Sequence, residues 1–245
     1  MSGRLIGVGT GPGDPELLTL KAVRAVRSAD VVAYFAKAGN GSNARAIVAD
    51  LIGPEQVEEA LLYPVTTEIE RNDPGYVSAI TGFYDAAAER LAAHLAADRS
   101  VAALSEGDPL FYGSYMHMHV RLAHRFETEV IPGVTAMSGC WSSAGVPMVQ
   151  GDDVMIVLPG TLPEADLARR LGESEAVVVM KLGRNLPKVR RALAAAGRLE
   201  GAIYVERGTM AAARQLPLAE KADDIAPYFA LVLVPGWRGR GEATP

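Results

Sequence analysis

The chain has 245 residues, 49% hydrophobic and 22% charged, with a formal net charge of −5 and an isoelectric point near 5.5. That balance excludes a disordered or collagen-like chain and leaves enough apolar residues for a core without metals or disulfides. The acidic surplus argues against a nucleic-acid partner, because phosphate contacts need a basic surface. The only cysteine, Cys140, excludes an intrachain disulfide and any CxxC signature. The opening MSGRLIGVGTGPGDP lacks the apolar stretch of a secretory leader, and no apolar run is long enough to span a bilayer. A cytoplasmic protein without a membrane partner is the expectation.

Arg4 to Val8 is a short apolar run ending in glycines and predicts a buried first strand. A helix follows from Pro15 to Ser28, with Asp14 as N-cap and Pro15 at the first helical position. Asp30 to Phe35 predicts a second strand, Asn43 to Leu51 a helix, and Tyr76 to Ala97 a long alanine-rich helix. Ser100 to Leu104 predicts a strand, then a loop from Ser105 to Tyr112 and a helix to about His124. Glu129 to Ile131 is a strand broken by Pro132 and Gly133, with a helix starting near Thr135. Strands alternating with helices imply a parallel, helix-covered sheet.

Around Val149 to Asp153 the pattern breaks. A second series has strands at Val154 to Leu158, Ala176 to Lys181, Gly201 to Glu206 and Phe229 to Val234. Its helices are Glu164 to Leu171, Leu186 to Ala196 and Ala219 to Ile225. The reading is two α/β domains, residues 1–149 and 150–245, ending in a charged tail at residues 238–245.

Three strand-to-helix loops stand out. The first, Gly7-Val-Gly-Thr-Gly-Pro-Gly-Asp-Pro15, fails the G-x-G-x-x-G dinucleotide frame, since frames begun at Gly7, Gly9 and Gly11 end on Pro12, Asp14 and Glu16. It also lacks the Gly-Lys-Ser/Thr of a triphosphate cradle. The second is Ser105-Glu-Gly-Asp-Pro-Leu-Phe-Tyr-Gly-Ser114, and the third runs from Pro132 to Trp141. Alone, each loop fits a tight turn as well as a ligand loop. In an α/β domain all three sit where ligands approach the carboxyl ends of the strands.

Together, in this order and spacing, the loops resemble the tetrapyrrole methylases, which transfer methyl groups from S-adenosylmethionine to corrin and sirohaem precursors. Tyr34 to Lys37, Tyr63 to Thr67, Glu106 to Ser114 and Met137 to Trp141, with Gly151 to Asp153, resemble the branch acting at C20 of precorrin-2. The resemblance implies a class III arrangement: two α/β domains, a cofactor cleft between them, and a homodimer. It implies S-adenosylmethionine as cofactor, S-adenosylhomocysteine as its product, and a small-molecule tetrapyrrole as the other partner. Carried over by motif, Pro12, Glu106, Gly107, Asp108, Phe111, Thr135 and Ala136 contact the cofactor from the three loops. Met180 and Gly208 do so from the second domain, on the adenine side. A cobalt-containing acceptor, cobalt-factor II, and a non-catalytic S-adenosylmethionine-binding module are the alternatives.

The branch of the family acting on uroporphyrinogen carries an acidic residue after the second strand, where this chain reads Tyr34-Phe-Ala-Lys37. The proton acceptor is therefore unassigned, with Glu106, Tyr112 and a carboxylate of the substrate itself as candidates. Lys37 and Arg45 lie on the ligand edge and are candidates to pair with substrate carboxylates; two solvated surface cations fit equally well. No metal site is expected. On a helix His117 and His119 point about 200° apart, and the Cys or Asp of a metal-ligating set are missing around them.

Overall fold

The computed structural model describes residues 3–64 and 74–236. Residues 65–67 of the Tyr63 segment and the tail at 238–245 lie outside the described residues. The chain groups into two compact units, Met1–Thr135 and Ala136–Pro245, each an α/β unit with its own five-stranded sheet.

The first unit runs β1 (Leu5–Gly9), α1 (Leu20–Ser28), β2 (Val31–Lys37), α2 (Asn43–Ile47), β3 (Val57–Tyr63), α3 (Pro74–Ala96), β4 (Val101–Ser105), α4 (Tyr115–Leu122) and β5 (Thr128–Ile131). Its sheet is parallel, in the order β3-β2-β4-β1-β5. The central strands β1 and β4 are buried along their whole length, as a sheet covered on both faces requires. Alternate residues divide between two cores. Leu5, Ala33, Leu61 and Ala103 pack with α3 and α4; Ile6, Val8, Val32 and Leu104 pack with α1 and α2.

Neighbours β1 and β4 send their chains to opposite faces, β1 into α1 and β4 into α4. That divergence opens a crevice at their carboxyl ends, the place where open α/β sheets bind ligands. The first two glycine loops leave from these two strands.

Local side-chain chemistry moves several predicted boundaries. The helix expected from Pro15 to Ser28 is a 3-10 turn at Pro15–Leu17, capped by Asp14, followed by α1. Thr19 interrupts it, because its hydroxyl accepts the Ala22 N–H at 3.1 Å and starts a new helix. The helix expected to Leu51 ends at Ile47, and a 3-10 turn covers Ala49–Leu51. Strand β3 has no counterpart in the sequence reading. Its Glu58 and Glu59 hide the pattern, and charge of this kind is characteristic of an edge strand.

The second unit contains α5 (Ala136–Ser143), β6 (Met155–Pro159), α6 (Glu164–Gly172), β7 (Ala176–Met180), α7 (Leu186–Ala195), β8 (Ile203–Glu206), β9 (Arg214–Pro217) and β10 (Ala230–Val234). Its order is β6-β7-β10-β8-β9. Only β6 and β7 pair in parallel; β10 and β9 make the rest antiparallel. Val177, Val179 and Val232 pack against α6 and α7. On the opposite face Val178, Val205 and Leu231 pack with Cys140 and Trp141 of α5. That contact is why α5 groups with the second sheet.

The helix expected over Ala219 to Ile225 does not form; only a 3-10 turn at Leu218–Glu220 does. Arg190 takes the carbonyls of Leu218 at 2.8 Å, Lys221 at 3.0 Å and Asp223 at 3.3 Å. Asp223 Oδ1 accepts from Ile225 N at 2.9 Å. Groups that a helix would pair along its own axis are thus held by side chains.

Leu193 is fully buried in the α6–α7 core, whereas Leu20 is 78% exposed. Leu193→Ala should lower unfolding free energy by about 2–5 kcal/mol. Leu20→Ala should change it by less than about 0.5 kcal/mol. Urea unfolding followed by circular dichroism measures both.

Candidate active site

The parallel pairing of β4, β1 and β5 brings the three glycine loops to one edge of the first unit, and backbone and side-chain hydrogen bonds join them there. Thr10 donates to the Ser105 carbonyl through its N–H at 2.9 Å and its hydroxyl at 3.2 Å. Gly107 N–H donates to the Gly11 carbonyl at 2.8 Å, and the two residues form an isolated antiparallel bridge. Asp108 braces the assembly: Oδ1 accepts from Leu110 N at 2.9 Å and Oδ2 from Gly133 N at 3.3 Å.

The approach is close enough to dictate glycine. A Cβ on Gly9 would lie 2.5 Å from Gly133 N and 2.7 Å from the Gly107 carbonyl oxygen; a Cβ on Gly133 would collide with that same oxygen. The obstructing atoms are backbone, which cannot rotate aside. The first loop's glycines, unmatched to any nucleotide fingerprint, thus serve the contact between loops.

Of the residues assigned from the sequence, Pro12 and Gly107 are buried in this assembly, and Asp108 and Phe111 are half-buried. Tyr112 is 46% exposed, with a φ of +56° and its ring edge-on to Phe111 at 4.9 Å. Glu106 lies half-buried at the end of β4. Burial pushes its carboxyl pKa upward, opposed by hydrogen bonds from the Asn43 side chain and the Ala44 N–H. Those two residues open α2, so Glu106 ties the second loop to the turn that follows β2. Thr135 and Ala136 stand at the start of α5 and at the junction of the two units.

Lys37 ends β2 with its side chain exposed. Arg45 is differently placed: Nε and Nη2 each donate to Glu58 at 2.9 Å. This pair lowers the Glu58 pKa, and the Tyr34 hydroxyl bonds the same carboxylate. The sequence did not disclose Glu58, which lies in the unrecognised strand. His117 stacks on Tyr84 at 3.7 Å between centroids, whereas His119 Nδ1 meets the Tyr115 hydroxyl at 3.4 Å. The two imidazoles take different partners.

In the second unit Met180 ends β7 and Gly208 lies in the loop after β8. Met180 is half-buried and its carbonyl accepts from Gly160 N at 2.6 Å. Gly208 lies against Cys140: its N–H meets the sulfur, and a Cβ there would sit 2.6 Å from Sγ. Burial raises the Cys140 thiol to about 11, so it stays protonated at neutral pH. Lys181, Arg207 and Thr209 have φ of +58°, +49° and +71°. Such residues cost about 1–3 kcal/mol each and collect at functional sites. Thr209 Oγ1 is buried without a hydrogen-bond partner among the described residues. The sequence reading passed over Thr209; a threonine next to a loop glycine carries no pattern of its own.

Among the described residues there is no cluster of three or more His, Cys, Asp or Glu able to hold a metal. No described helix is long and apolar enough to cross a membrane.

The chain is 70% identical to a precorrin-2 C(20)-methyltransferase of Sinorhizobium sp over 97% of both chains. It is 27% identical to the cobalt-precorrin-2 C(20)-methyltransferase of Salmonella typhimurium over 96% of this chain and 97% of that one. Among solved structures it resembles the uroporphyrin III C-methyl transferase of Thermus thermophilus, with a TM-score of 0.68 and 25% identity over 96% of this chain and 99% of that one. The same Thermus enzyme complexed with S-adenyl homocysteine gives a TM-score of 0.67 at 24% identity over 96% and 99%. The family model described as Tetrapyrrole (Corrin/Porphyrin) Methylases matches residues 4–222, most of the sequence. The chain belongs to that family.

Proposed function

We propose that this chain is an S-adenosylmethionine-dependent methyltransferase that methylates precorrin-2 at C20, giving precorrin-3A in corrin-ring biosynthesis. The observation that carries this reading is 70% identity, over nearly the full length of both chains, to a protein of that name. The cobalt-containing acceptor is less favoured, since identity to the cobalt-precorrin-2 enzyme is 27%. The absence of a carboxylate across Tyr34 to Lys37 disfavours uroporphyrinogen. The reading carries a homodimer with it, as the family resemblance implies, and a cytoplasmic location, which the single cysteine suits.

The residues present suit the cofactor. S-adenosylmethionine combines an apolar purine face, hydroxyls and charged amino-acid groups. Within the first unit a glycine-lined edge offers backbone groups; within the second, the half-buried Met180 and the Thr209 hydroxyl, unpartnered among the described residues, are of matching chemistry. In this reading Pro12, Gly107, Asp108 and Phe111 of the first unit, with Thr135, Ala136, Met180 and Gly208, hold it. When bound, it supplies the methyl group, its S–CH3 bond breaking with the electron pair going to sulfur as C20 forms the new C–C bond.

The protein's own task is placement, which contributes about 7–11 kcal/mol when the reacting atoms are held at near-attack distance. The braced loops are suited to it, because they have little freedom to lose on binding. Lys37 at the end of β2 and Arg45, forked onto Glu58, are the residues proposed to meet substrate carboxylates. The C20 proton then needs an acceptor. Between the two protein candidates Glu106 is the better, because a carboxylate accepts a proton directly whereas a phenol must first give one up.

The direct test is anaerobic transfer from isotopically labelled S-adenosylmethionine to uroporphyrinogen III, precorrin-2 and cobalt-factor II, with the labelled carbon located by NMR. Label at C20 of precorrin-2 alone is expected. Label only on cobalt-factor II moves the chain to the cobalt pathway, and cofactor binding without transfer to any acceptor favours a binding module.

Asp108→Ala removes the brace between the second and third loops and should weaken cofactor binding about tenfold by calorimetry, the scale of a lost charged hydrogen bond. An unchanged dissociation constant removes Asp108 from the site. Glu106→Gln should lower kcat at least about 100-fold if Glu106 takes the proton. A carboxyl raised in the folded state binds its proton more tightly there than in the unfolded chain. Its contribution is full below the unfolded value and is lost as pH rises through the folded one. Wild type should therefore lose stability relative to Glu106→Gln as pH rises past the ordinary carboxylate range, read by thermal unfolding of both proteins across a pH series.

A further inference from the structure

Strand β2 and edge strand β3 end side by side, with Lys37 and Tyr63 as register partners. In a parallel pair, partners and residues two apart point to one face. Phe35, Lys37, Leu61 and Tyr63 therefore share the face covered by α3, and Leu61 lies at the bottom of that packing. Toward the carboxyl edge the packing turns aromatic. Phe35 and Tyr63 stack with centroids 5.9 Å apart and planes 26° apart. Phe83 of α3 lies 4.9 Å from Tyr63 and 6.4 Å from Phe35. Tyr84 beneath them is buried, while Phe35, Tyr63 and Phe83 are only partly so.

Hydrogen bonds to Ser114 join this aromatic group to the glycine loops. The Tyr63 hydroxyl meets Ser114 Oγ, the last residue of the second loop, and the Tyr84 hydroxyl donates to the same atom at 3.3 Å. Rings left partly open at a ligand edge, a lysine ammonium beside them and a fixed link to the cofactor loop describe a receptor for one kind of molecule. That molecule is flat, broad, largely apolar on its faces and anionic at its rim.

We propose that Phe35, Tyr63 and Phe83, with Lys37 at their border, form the platform on which the tetrapyrrole lies, and that the Tyr63–Ser114 bond sets its position relative to the second loop. This rests on the methyltransferase reading above and goes beyond it by naming the surface that selects the acceptor. The rings supply dispersion and quadrupole contacts to macrocycle faces. Lys37 supplies the counter-charge for a rim carboxylate. Tyr63 is a positioning residue here: it acts on where the acceptor carbon stands, not on a bond being made.

The test uses the full chain and anaerobic precorrin-2, with wild type run alongside. Phe83→Leu should raise the KM for the tetrapyrrole about three- to tenfold, the scale of one lost aromatic contact. Its cofactor dissociation constant should stay at the wild-type value, which also shows that the variant is folded. Tyr63→Phe keeps the ring and loses only the hydroxyl, so it should leave KM within about twofold and lower kcat instead. Tyr63→Trp supplies a second, independent readout: its added indole fluorescence should be quenched by precorrin-2 and not by the cofactor alone. An unchanged KM in Phe83→Leu, or no quenching at Tyr63→Trp in protein that still turns precorrin-2 over, overturns the platform and leaves the methyltransferase reading standing. No turnover by wild type overturns the reading itself, and the platform with it.

Discussion

A backbone carbonyl, that of Gly107, sits where a side chain on either Gly9 or Gly133 would have to go. The first unit is organised around that approach. Parallel pairing of β1 with β4 and β5 delivers three loops to one edge, but it does not close them on one another. The Thr10–Ser105 and Gly11–Gly107 bonds and the Asp108 brace do that. Because no side chain separates the loops, their backbone groups form one surface, and a ligand there meets amides and carbonyls whose positions are set by the sheet.

The second unit reaches a comparable end by a different route. Lys181, Arg207 and Thr209 occupy left-handed backbone that ordinary residues avoid, and they follow the ends of β7 and β8. Strain of this kind persists only where the surroundings over-determine it. Here the surroundings include the Gly208–Cys140 approach and the Tyr204–Glu206 hydrogen bond at 2.7 Å on a buried carboxylate. The buried Thr209 hydroxyl, without a partner among the described residues, is a further cost that a ligand would relieve.

Much of this was legible in the sequence. Apolar runs gave the central strands because β1 and β4 are buried on both faces, and the loops were visible because glycine and proline are needed where backbones converge. What escaped was decided by side chains acting at a distance. Strand β3 carries Glu58 and Glu59, whose partners Arg45, Arg90 and His94 come from helices. The missing helix near residue 220 depends on Arg190, about thirty positions away. The change of pattern near residue 150 marks the start of a second strand series. The contacts divide earlier, at Thr135, because α5 packs its Cys140 and Trp141 on the second sheet. Periodicity reports which face of a helix is apolar, not which sheet it will cover.

In the reading developed here, cofactor and acceptor are recognised by different kinds of atom. The cofactor loops offer mostly backbone, and backbone geometry is constrained by glycines that tolerate no replacement. The proposed platform offers side chains on β2, β3 and α3, where a ring can be exchanged or a cation moved without disturbing the loop contact. A fold divided in this way can keep one methyl donor while its acceptor changes, because substitutions at Phe35, Lys37, Tyr63 or Phe83 act through packing and charge on one face of one sheet. The Tyr63–Ser114 bond is the point at which the two kinds of recognition meet. It makes acceptor placement depend on the second loop, so a substrate that misplaces Tyr63 is misaligned with the methyl donor even if it binds.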